Sequence, residues 1–278
     1  MPESNFVSRN EIAQLADSLY DARVNSRQCE PLTARAGLSL RDAYSVSEIN
    51  LKRRMEQEKV KLIGKKIGLT SRAVQKQLGV NEPDFGYLTS DMNVPMGEGV
   101  NISALMQPRV EGETAFVLKR TLRGPGITVA DVIRATDFVL PCIEIIDSRV
   151  KDWKIKIEDT VADNASSALL VLGTQPVRLR SLNLRDAGMA LRVNGEVVSA
   201  GSGAACLDHP ALAVAWLANK LGEFGVSLRA GEVILSGAFG PVIPVRGGEH
   251  VEVEISGLGK TFCFFSERGN AENSGGQK

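Results

Sequence analysis

Histidine and cysteine are scarce in this chain of 278 residues, and neither sign of charge is in excess. It has two histidines and four cysteines, and 33 Lys and Arg balance 33 Asp and Glu, so the formal net charge is +0. A neutral chain without a basic cluster lacks the positive surface that binds nucleic acid, and we expect no nucleic-acid partner. The cysteines form no CxxC pair, which argues against a zinc site or a disulfide framework and favours buried free thiols.

Sequence features of several other protein classes are missing as well. The chain has only two histidines, His209 and His250, and their positions argue against a Ser-His-Asp triad or a Cys-His dyad. No GxGxxG or P-loop pattern occurs, so we expect no nucleotide cofactor. No stretch approaches the ~18 apolar residues of a membrane span, and residues 1–10 contain no apolar leader region. We therefore expect no membrane association and a cytoplasmic location.

Capping signals predict two amphipathic helices near the start of the chain. The pairs Ser8-x-x-Glu11 and Ser39-x-x-Asp42 each supply a side-chain acceptor and a returning carboxylate before a run of helical period. The charged residues 52–59 that follow the second run are typical of a solvated helix end.

The pattern changes to β near Val60, which suggests a domain boundary in this part of the chain. The remainder is dominated by short strands between Gly and Pro turns. The polar residues 268–278 are expected to be disordered.

Two glutamates stand out in a predicted strand. Side chains alternate along a strand, so Glu111 and Glu113 share one face, and the Ala115 and Val117 that follow on this face are apolar. Burying two like charges together costs several kcal/mol unless a cation neutralises them. A divalent ion is therefore one explanation; the other is a surface-facing E-x-E pair without function.

A third acid lies in the middle of another apolar strand. Residues 138–147 are mostly apolar, and Glu144 is the one acid in their middle. If Glu144 joins the pair, three oxygen ligands without His or Cys indicate a hard ion, so we expect Mg²⁺ or Mn²⁺.

Lys66 is the candidate for proton transfer, because it lies between glycines in a segment otherwise suited to burial. A structural ion pair is the alternative role. Its neighbour Lys65 should point the opposite way in a regular strand, and we expect it to face solvent. Asp84 lies in a turn signature, residues 83–86, and could be a cap or a general base.

Two further segments carry polar groups that could contact a ligand. Residues 159–167 place hydroxyl, amide and carboxylate groups in what we expect to be one loop. Ser236 and Gly237 follow a predicted strand, where a hydroxyl and exposed backbone N–H groups could hold a carboxylate. Capping is the alternative role for each segment.

Taken together, these motifs closely resemble those of the 2-hydroxypenta-2,4-dienoate hydratases of bacterial aromatic meta-cleavage pathways, within the fumarylacetoacetate hydrolase superfamily. The resemblance extends from about residue 12 to residue 265 and is highly specific. It rests on GKKIGLTS (64–71), PDFGYL (83–88), PRVEGE (108–113), IEIIDSR (143–149), DTVADNASS (159–167), AVAWLANKLG (213–222) and ILSG (234–237).

The resemblance implies an α+β fold with a fumarylacetoacetate-hydrolase-like mixed β-roll core and a smaller N-terminal α/β region. We accordingly expect a helical α/β region over 1–75, a β-roll catalytic domain over 76–267 and the tail over 268–278. It also implies a homo-oligomer, and hydratases of this type often associate with 4-oxalocrotonate decarboxylase.

The implied activity is the addition of water to a 2-hydroxy-2,4-dienoate, giving a 4-hydroxy-2-oxo acid, with Mg²⁺ or Mn²⁺ as cofactor. The family's metal carboxylates fall on Glu111, Glu113 and Glu144. The substituent and chain length of the dienoate depend on the shape of the pocket and stay open.

The family's active-site lysine falls on Lys66 and its acidic partner on Asp84. Ser236, with the backbone of Gly237, matches the segment that contacts the carboxylate end of the substrate. Residues 159–167 match the segment that closes over the site.

Two alternatives remain within the same scaffold. A 4-oxalocrotonate decarboxylase would share the metal and much of the ADNASS region, but PDFGYL, VEGE and Asp152-Trp153 favour a hydratase. A non-catalytic partner subunit is the other alternative, and the retained acids and Lys66 argue against it.

Overall fold

Capping boxes begin the first two helices, as the sequence predicts. In a computed structural model, which describes residues 7–267 except the side chains of Gln77 and Leu78, helix α1 starts after Ser8 and helix α2 after Ser39, each with a reciprocal side-chain cap. Their apolar sides pack against each other. The predicted disordered tail lies outside the described residues.

The described residues form six α-helices, linked by short 3₁₀ turns and one π-helical turn that continues α2. The helices are α1 (Arg9–Val24), α2 (Leu40–Arg53), α3 (Arg72–Leu78), α4 (Val129–Ala135), α5 (Ile157–Ala162) and α6 (Pro210–Gly222). None of these helices combines the length and the apolar character that crossing a membrane requires.

Twelve strands are found in the same part of the chain. They are β1 (Leu62–Gly68), β2 (Asp84–Thr89), β3 (Gly99–Val100), β4 (Arg109–Leu118), β5 (Thr136–Ile146), β6 (Ser167–Leu172), β7 (Gly188–Val193), β8 (Glu196–Ser202), β9 (Val233–Leu235), β10 (Ile243–Pro244), β11 (His250–Ile255) and β12 (Gly259–Phe265).

Seven of the strands form one mixed sheet. Its order is β2-β1-β9-β4-β5-β6, and β10 also pairs with β4. The β1–β9 pair is parallel, whereas the other neighbours are antiparallel. The end strands β2 and β6 contact each other, so the sheet curls into a roll.

A second sheet, ordered β3-β12-β11-β7-β8, packs against β4 and β5 on the outside of the roll. The main apolar core fills this interface and extends to the helices. A smaller apolar cluster comes from the strands of the roll and from the turn after β2, and it lines one part of the inner face of the roll: Leu88, Met92, Ala115, Leu140, Cys142, Leu170 and Leu235. The same strand faces carry polar side chains farther along, and these form the candidate site.

The expected boundary at residue 75 separates β1 from β2 in sequence, yet the two strands are hydrogen-bonded neighbours in the roll. The division into 1–75 and 76–267 therefore stays a prediction about domains. Helix α2, in the first of these ranges, packs against α5, which lies in the second.

Three local expectations need correction. Residues 83–86 are not a turn, because Asp84 begins β2 and all six residues of that strand are buried. Residues 159–167 are not one loop, because α5 extends to Ala162 before the chain becomes irregular. The charged residues 52–59 are mostly exposed as predicted, but Arg54 is buried and its guanidinium donates to Asp91.

The expectation that Lys65 faces solvent is wrong. Its side chain points away from that of Lys66, as alternation requires, but it is only 1% exposed. The reason is that β1 lies inside the sheet and α6 packs against it, so both faces of the strand are covered. The Lys65 ammonium donates to both carboxylate oxygens of Glu232, at 2.9 and 2.7 Å.

We predict that Lys65→Ala destabilises the fold by about 3–5 kcal/mol, because it leaves the Glu232 carboxylate buried without its cation. The matched control is Lys260→Ala, since Lys260 pairs with Glu252 but its side chain is 59% exposed. That exposed pair should contribute less than about 1 kcal/mol. Urea denaturation measures both, and equal losses in the two variants would contradict the prediction.

Candidate active site

Three carboxylates converge where β4 and β5 pair. Glu111 lies directly opposite Glu144 in the antiparallel register, and Glu113 follows two residues along on the same face of β4. One carboxylate oxygen from each residue lies within 4.8 Å of the others. Glu113 and Glu144 are fully buried, whereas Glu111 is partly exposed. The cluster is therefore open on the side of Glu111, and the surface-facing alternative for the E-x-E pair does not apply.

Two oxygens of this cluster are buried without a hydrogen-bond partner among the described residues, Glu113 Oε1 and Glu144 Oε2. The other oxygen of each residue is satisfied: Glu113 Oε2 accepts the Gly237 N–H at 2.8 Å, and Glu144 Oε1 accepts the Ser167 hydroxyl at 3.1 Å. Buried acceptors that lack donors cost free energy, and a cation among them would remove that cost.

The pKa values of the cluster point the same way. Burial, together with the neighbouring carboxylates, raises the pKa of Glu111 to about 7 and that of Glu113 well above its usual range. Three ionised carboxylates are thus unfavourable here without a counter-charge. The donor set, all carboxylate oxygen, fits a hard divalent cation such as Mg²⁺ or Mn²⁺.

Lys66 extends from β1 into the same space. Its Nζ lies 3.3 Å from Glu144 Oε1 and donates to the Ala165 carbonyl oxygen at 3.2 Å. Burial by itself would lower the pKa of Lys66, but the carboxylates of Glu144 and Asp84 outweigh burial and raise it. The ammonium form is therefore the stable one at neutral pH.

Asp84 lies beside Lys66, since β2 places it opposite Gly68 on the neighbouring strand. Burial raises the pKa of its carboxyl group, and Asp84 Oδ1 has no hydrogen-bond partner among the described residues. A Cβ atom at Gly68 would lie 2.2 Å from Asp84 Oδ1 and 3.3 Å from Lys66 Nζ. Glycine at this position therefore leaves room for the acid and the amine to share one space.

Ser236 and Gly237 reach the site from the end of β9. The backbone N–H of Gly237 contacts the acid cluster through Glu113, as described above, and the Ser236 hydroxyl oxygen is buried without a partner among the described residues. The Cys206 thiol donates to the Ser236 carbonyl oxygen at 2.7 Å and so helps to hold this segment.

Sequence reasoning selected residues 159–167 as a segment but missed the two side chains that matter there. Ser167 donates to Glu144, and the Asn164 side chain pairs with the backbone of Tyr87 on β2. The only signal was the density of hydroxyl and amide groups, which does not identify their partners. Asn164 and Ser167 also line a cavity of about 410 Å³ between the N-terminal helices and the roll.

The family follows from a match to the C-terminal domain of fumarylacetoacetate (FAA) hydrolase, which covers residues 56–263. The chain belongs to the FAA hydrolase family. This confirms the resemblance recognised in its motifs, and with it the expected α+β fold with a mixed β-roll core.

Two relatives similar in sequence are named as hydratases. The 2-hydroxyhexa-2,4-dienoate hydratase of Comamonas testosteroni is 48% identical over 252 residues, which cover 90% of this chain and 95% of the relative. The 2-hydroxypent-2,4-dienoate hydratase of Pseudomonas putida is 53% identical over 218 residues, covering 78% and 98% of the two chains.

A similar solved structure is the 4-oxalocrotonate decarboxylase from Pseudomonas putida G7, complexed with magnesium and adipate. It matches with a TM-score of 0.90 and 38% identity and covers 94% of this chain and 99% of its own. The fold therefore extends over nearly the whole length of both proteins.

We predict that the protein binds Mn²⁺ and that Glu113→Gln weakens binding by at least about tenfold, because one anionic ligand is lost. Glu254→Gln is the control, since Glu254 is the exposed member of an E-x-E pair on β11 and contacts Arg192. Titration followed by Mn²⁺ electron paramagnetic resonance measures both. Equal Mn²⁺ affinities in the two variants would contradict the assignment of the metal to the acid cluster.

Divalent-cation binding should weaken as the pH falls below about 7. Below its raised pKa, Glu111 holds a proton in the metal-free protein, and the cation must displace it. One displaced proton lowers the affinity by up to about tenfold per pH unit. Mn²⁺ titrations at about pH 8 and about pH 5.5, with folding checked by circular dichroism, test this coupling. An unchanged dissociation constant would contradict it.

Proposed function

We propose that this protein is a metal-dependent hydratase, a hydro-lyase that adds water to 2-hydroxypenta-2,4-dienoate or a substituted dienoate. The product is 4-hydroxy-2-oxopentanoate or its substituted analogue, and the reaction belongs to aromatic meta-cleavage catabolism. One observation carries the proposal: a buried carboxylate cluster, with oxygens that have no partner among the described residues, meets a buried lysine and a buried acid, in a chain 48% and 53% identical to two named dienoate hydratases.

We assign the metal to Glu111, Glu113 and Glu144, and Mg²⁺ or Mn²⁺ is the proposed ion. When bound, a divalent cation stabilises the negative charge that develops on the oxygens of the substrate. The partly exposed side of the cluster, at Glu111, is where a small anionic substrate would approach. Ser236 and the Gly237 backbone lie next to the cluster and are assigned to the carboxylate end of the substrate.

Besides the attack of water, the reaction requires protonation of two carbons, C5 and C3, balanced by loss of one proton from the 2-hydroxyl and one from the water. Protonation of the terminal carbon of the dienol, with loss of the hydroxyl proton, gives an α,β-unsaturated 2-oxo acid. Water then adds to C4 while C3 gains a proton. Lys66, which holds its proton in contact with Glu144, and Asp84, whose pKa is raised by burial, are the groups we assign to these transfers.

Decarboxylation of a 4-oxalocrotonate-type acid is the second candidate, because the solved decarboxylase shares the fold over nearly its whole length. Its identity to this chain is 38%, lower than the 48% and 53% of the two hydratases cited above. This difference favours the hydratase. A homo-oligomeric state and association with such a decarboxylase are further proposals that follow from the family. A cytoplasmic location is a further proposal that follows from the sequence features.

We predict that the protein with Mg²⁺ bleaches the dienol absorbance of 2-hydroxypenta-2,4-dienoate. Lys66→Met and Asp84→Asn should each lower kcat by about 10²–10⁴-fold, the usual contribution of general acid–base catalysis. Lys61→Met, which changes a nearby exposed lysine, is the control and should keep the wild-type kcat.

Three results would contradict this assignment. Absence of bleaching at any protein concentration would exclude the hydratase, and release of CO₂ from 2-oxohex-3-enedioate would favour the decarboxylase. A wild-type kcat in Lys66→Met or Asp84→Asn would remove that residue from the proton transfers. Mn²⁺ binding by each variant shows whether the site is still folded.

A further inference from the structure

The backbone turns in an unusual way where α5 leads into β6. Asn164, Ala165 and Ser166 have φ values of 55°, 51° and 54°, so three consecutive residues other than glycine adopt the left-handed conformation. Residues with a side chain rarely occupy this region, and they persist there only where their surroundings hold them. Some set of contacts must therefore maintain this turn.

The turn delivers two groups to the candidate active site. The Ala165 carbonyl oxygen accepts a hydrogen bond from Lys66 Nζ at 3.2 Å. Ser167, the next residue after the turn, donates its hydroxyl to Glu144 Oε1 at 3.1 Å. The position of the turn thus sets the direction of the lysine and of one carboxylate.

Asn164 ties the turn to β2. Its Oδ1 accepts the Tyr87 N–H at 2.7 Å, and its Nδ2 donates to the Tyr87 carbonyl oxygen at 2.9 Å, so the amide pairs with the strand as another strand would. The turn lies directly on β2, because a Cβ atom at Gly86 would come within 2.4 Å of the Asn164 carbonyl oxygen.

Other contacts hold the far end of the turn. The Ser166 N–H donates to the Asp163 carbonyl oxygen, and the Ser166 carbonyl oxygen accepts from the Asp147 N–H. Asn164 itself borders the cavity on the helical side, where there is open space. Arg149 holds Asp163, the residue before the turn, by donating to its carboxylate and to its carbonyl oxygen. The two hydrogen bonds to Tyr87 are what tie the start of the turn to β2.

We propose that Asn164 is a positioning residue for the hydratase reaction: its pairing with Tyr87 holds the left-handed turn on β2 so that the Ala165 carbonyl oxygen directs Lys66. The proposal rests on the proposed function. Loss of the Asn164 amide should therefore lower kcat more than it raises KM, because a displaced Lys66 slows the chemical step more than it weakens substrate binding.

The chain contains a matched control for this pairing. Asn219 on α6 makes the same two bonds to the backbone of Ile127, accepting its N–H at 2.8 Å and donating to its carbonyl oxygen at 2.9 Å. This pairing connects α6 to the segment before α4, outside the candidate site. Loss of the Asn219 amide tests what such a pairing contributes to stability alone.

The test compares Asn164→Gly with Asn219→Ala. Glycine adopts a positive φ without strain, so Asn164→Gly removes the amide without forcing a side chain into the left-handed region. We expect Asn164→Gly to lower kcat by about ten- to a hundredfold with a much smaller change in KM, the size expected for a shift of about 1 Å in a catalytic group. Asn219→Ala should lower the urea midpoint but keep the wild-type kcat.

A crystal structure of Asn164→Gly gives a readout that does not depend on activity. We expect Lys66 Nζ and the Ala165 carbonyl oxygen to lie beyond hydrogen-bond distance there. An unmoved turn, a wild-type kcat in Asn164→Gly, or an equal loss of kcat in Asn219→Ala would overturn the proposal. If the wild-type protein does not turn over the dienoate, the proposed function fails, and the crystal structure alone decides the role of Asn164.

Discussion

Repulsion among buried carboxylates is the constraint on which the rest of this structure depends. Glu111, Glu113 and Glu144 are brought together by the pairing of β4 and β5, where each strand can place a side chain on the inner face only at every second residue. Such a cluster is stable only with compensating positive charge and hydrogen-bond donors. The donors seen here come from three different places: Lys66 on β1, Gly237 after β9 and Ser167 at the start of β6.

The two adjacent lysines of β1 differ in role, one forming a structural ion pair and the other lying in the candidate active site. Lys65 and Lys66 are both buried and both face carboxylates, but on opposite sides of the strand. Lys65 meets one carboxylate, Glu232, through two hydrogen bonds, which suits a structural ion pair. Lys66 faces several acids and a backbone carbonyl oxygen. The acids together raise the pKa of Lys66, and its ammonium group is shared among them instead of being paired with one carboxylate.

Much of the site could be anticipated from spacing. The two-residue period places Glu111 and Glu113 on one face, and a charge inside the apolar residues 138–147 singles out Glu144. Capping boxes located α1 and α2 because their hydrogen bonds join residues three apart. Motif resemblance led to the family and its roll, which local patterns alone would not have specified.

What only the tertiary structure decided is which distant groups meet. The burial of Lys65 depends on Glu232, 167 residues away, and the role of Asn164 depends on Tyr87, 77 residues away. The sequence by itself determined the face that each side chain takes, because alternation and capping act between near neighbours. The residues that each side chain contacts are set by the order of the strands and by the approach of β2 to the turn before β6. These contacts join segments that are far apart in the sequence, so no local pattern predicts them.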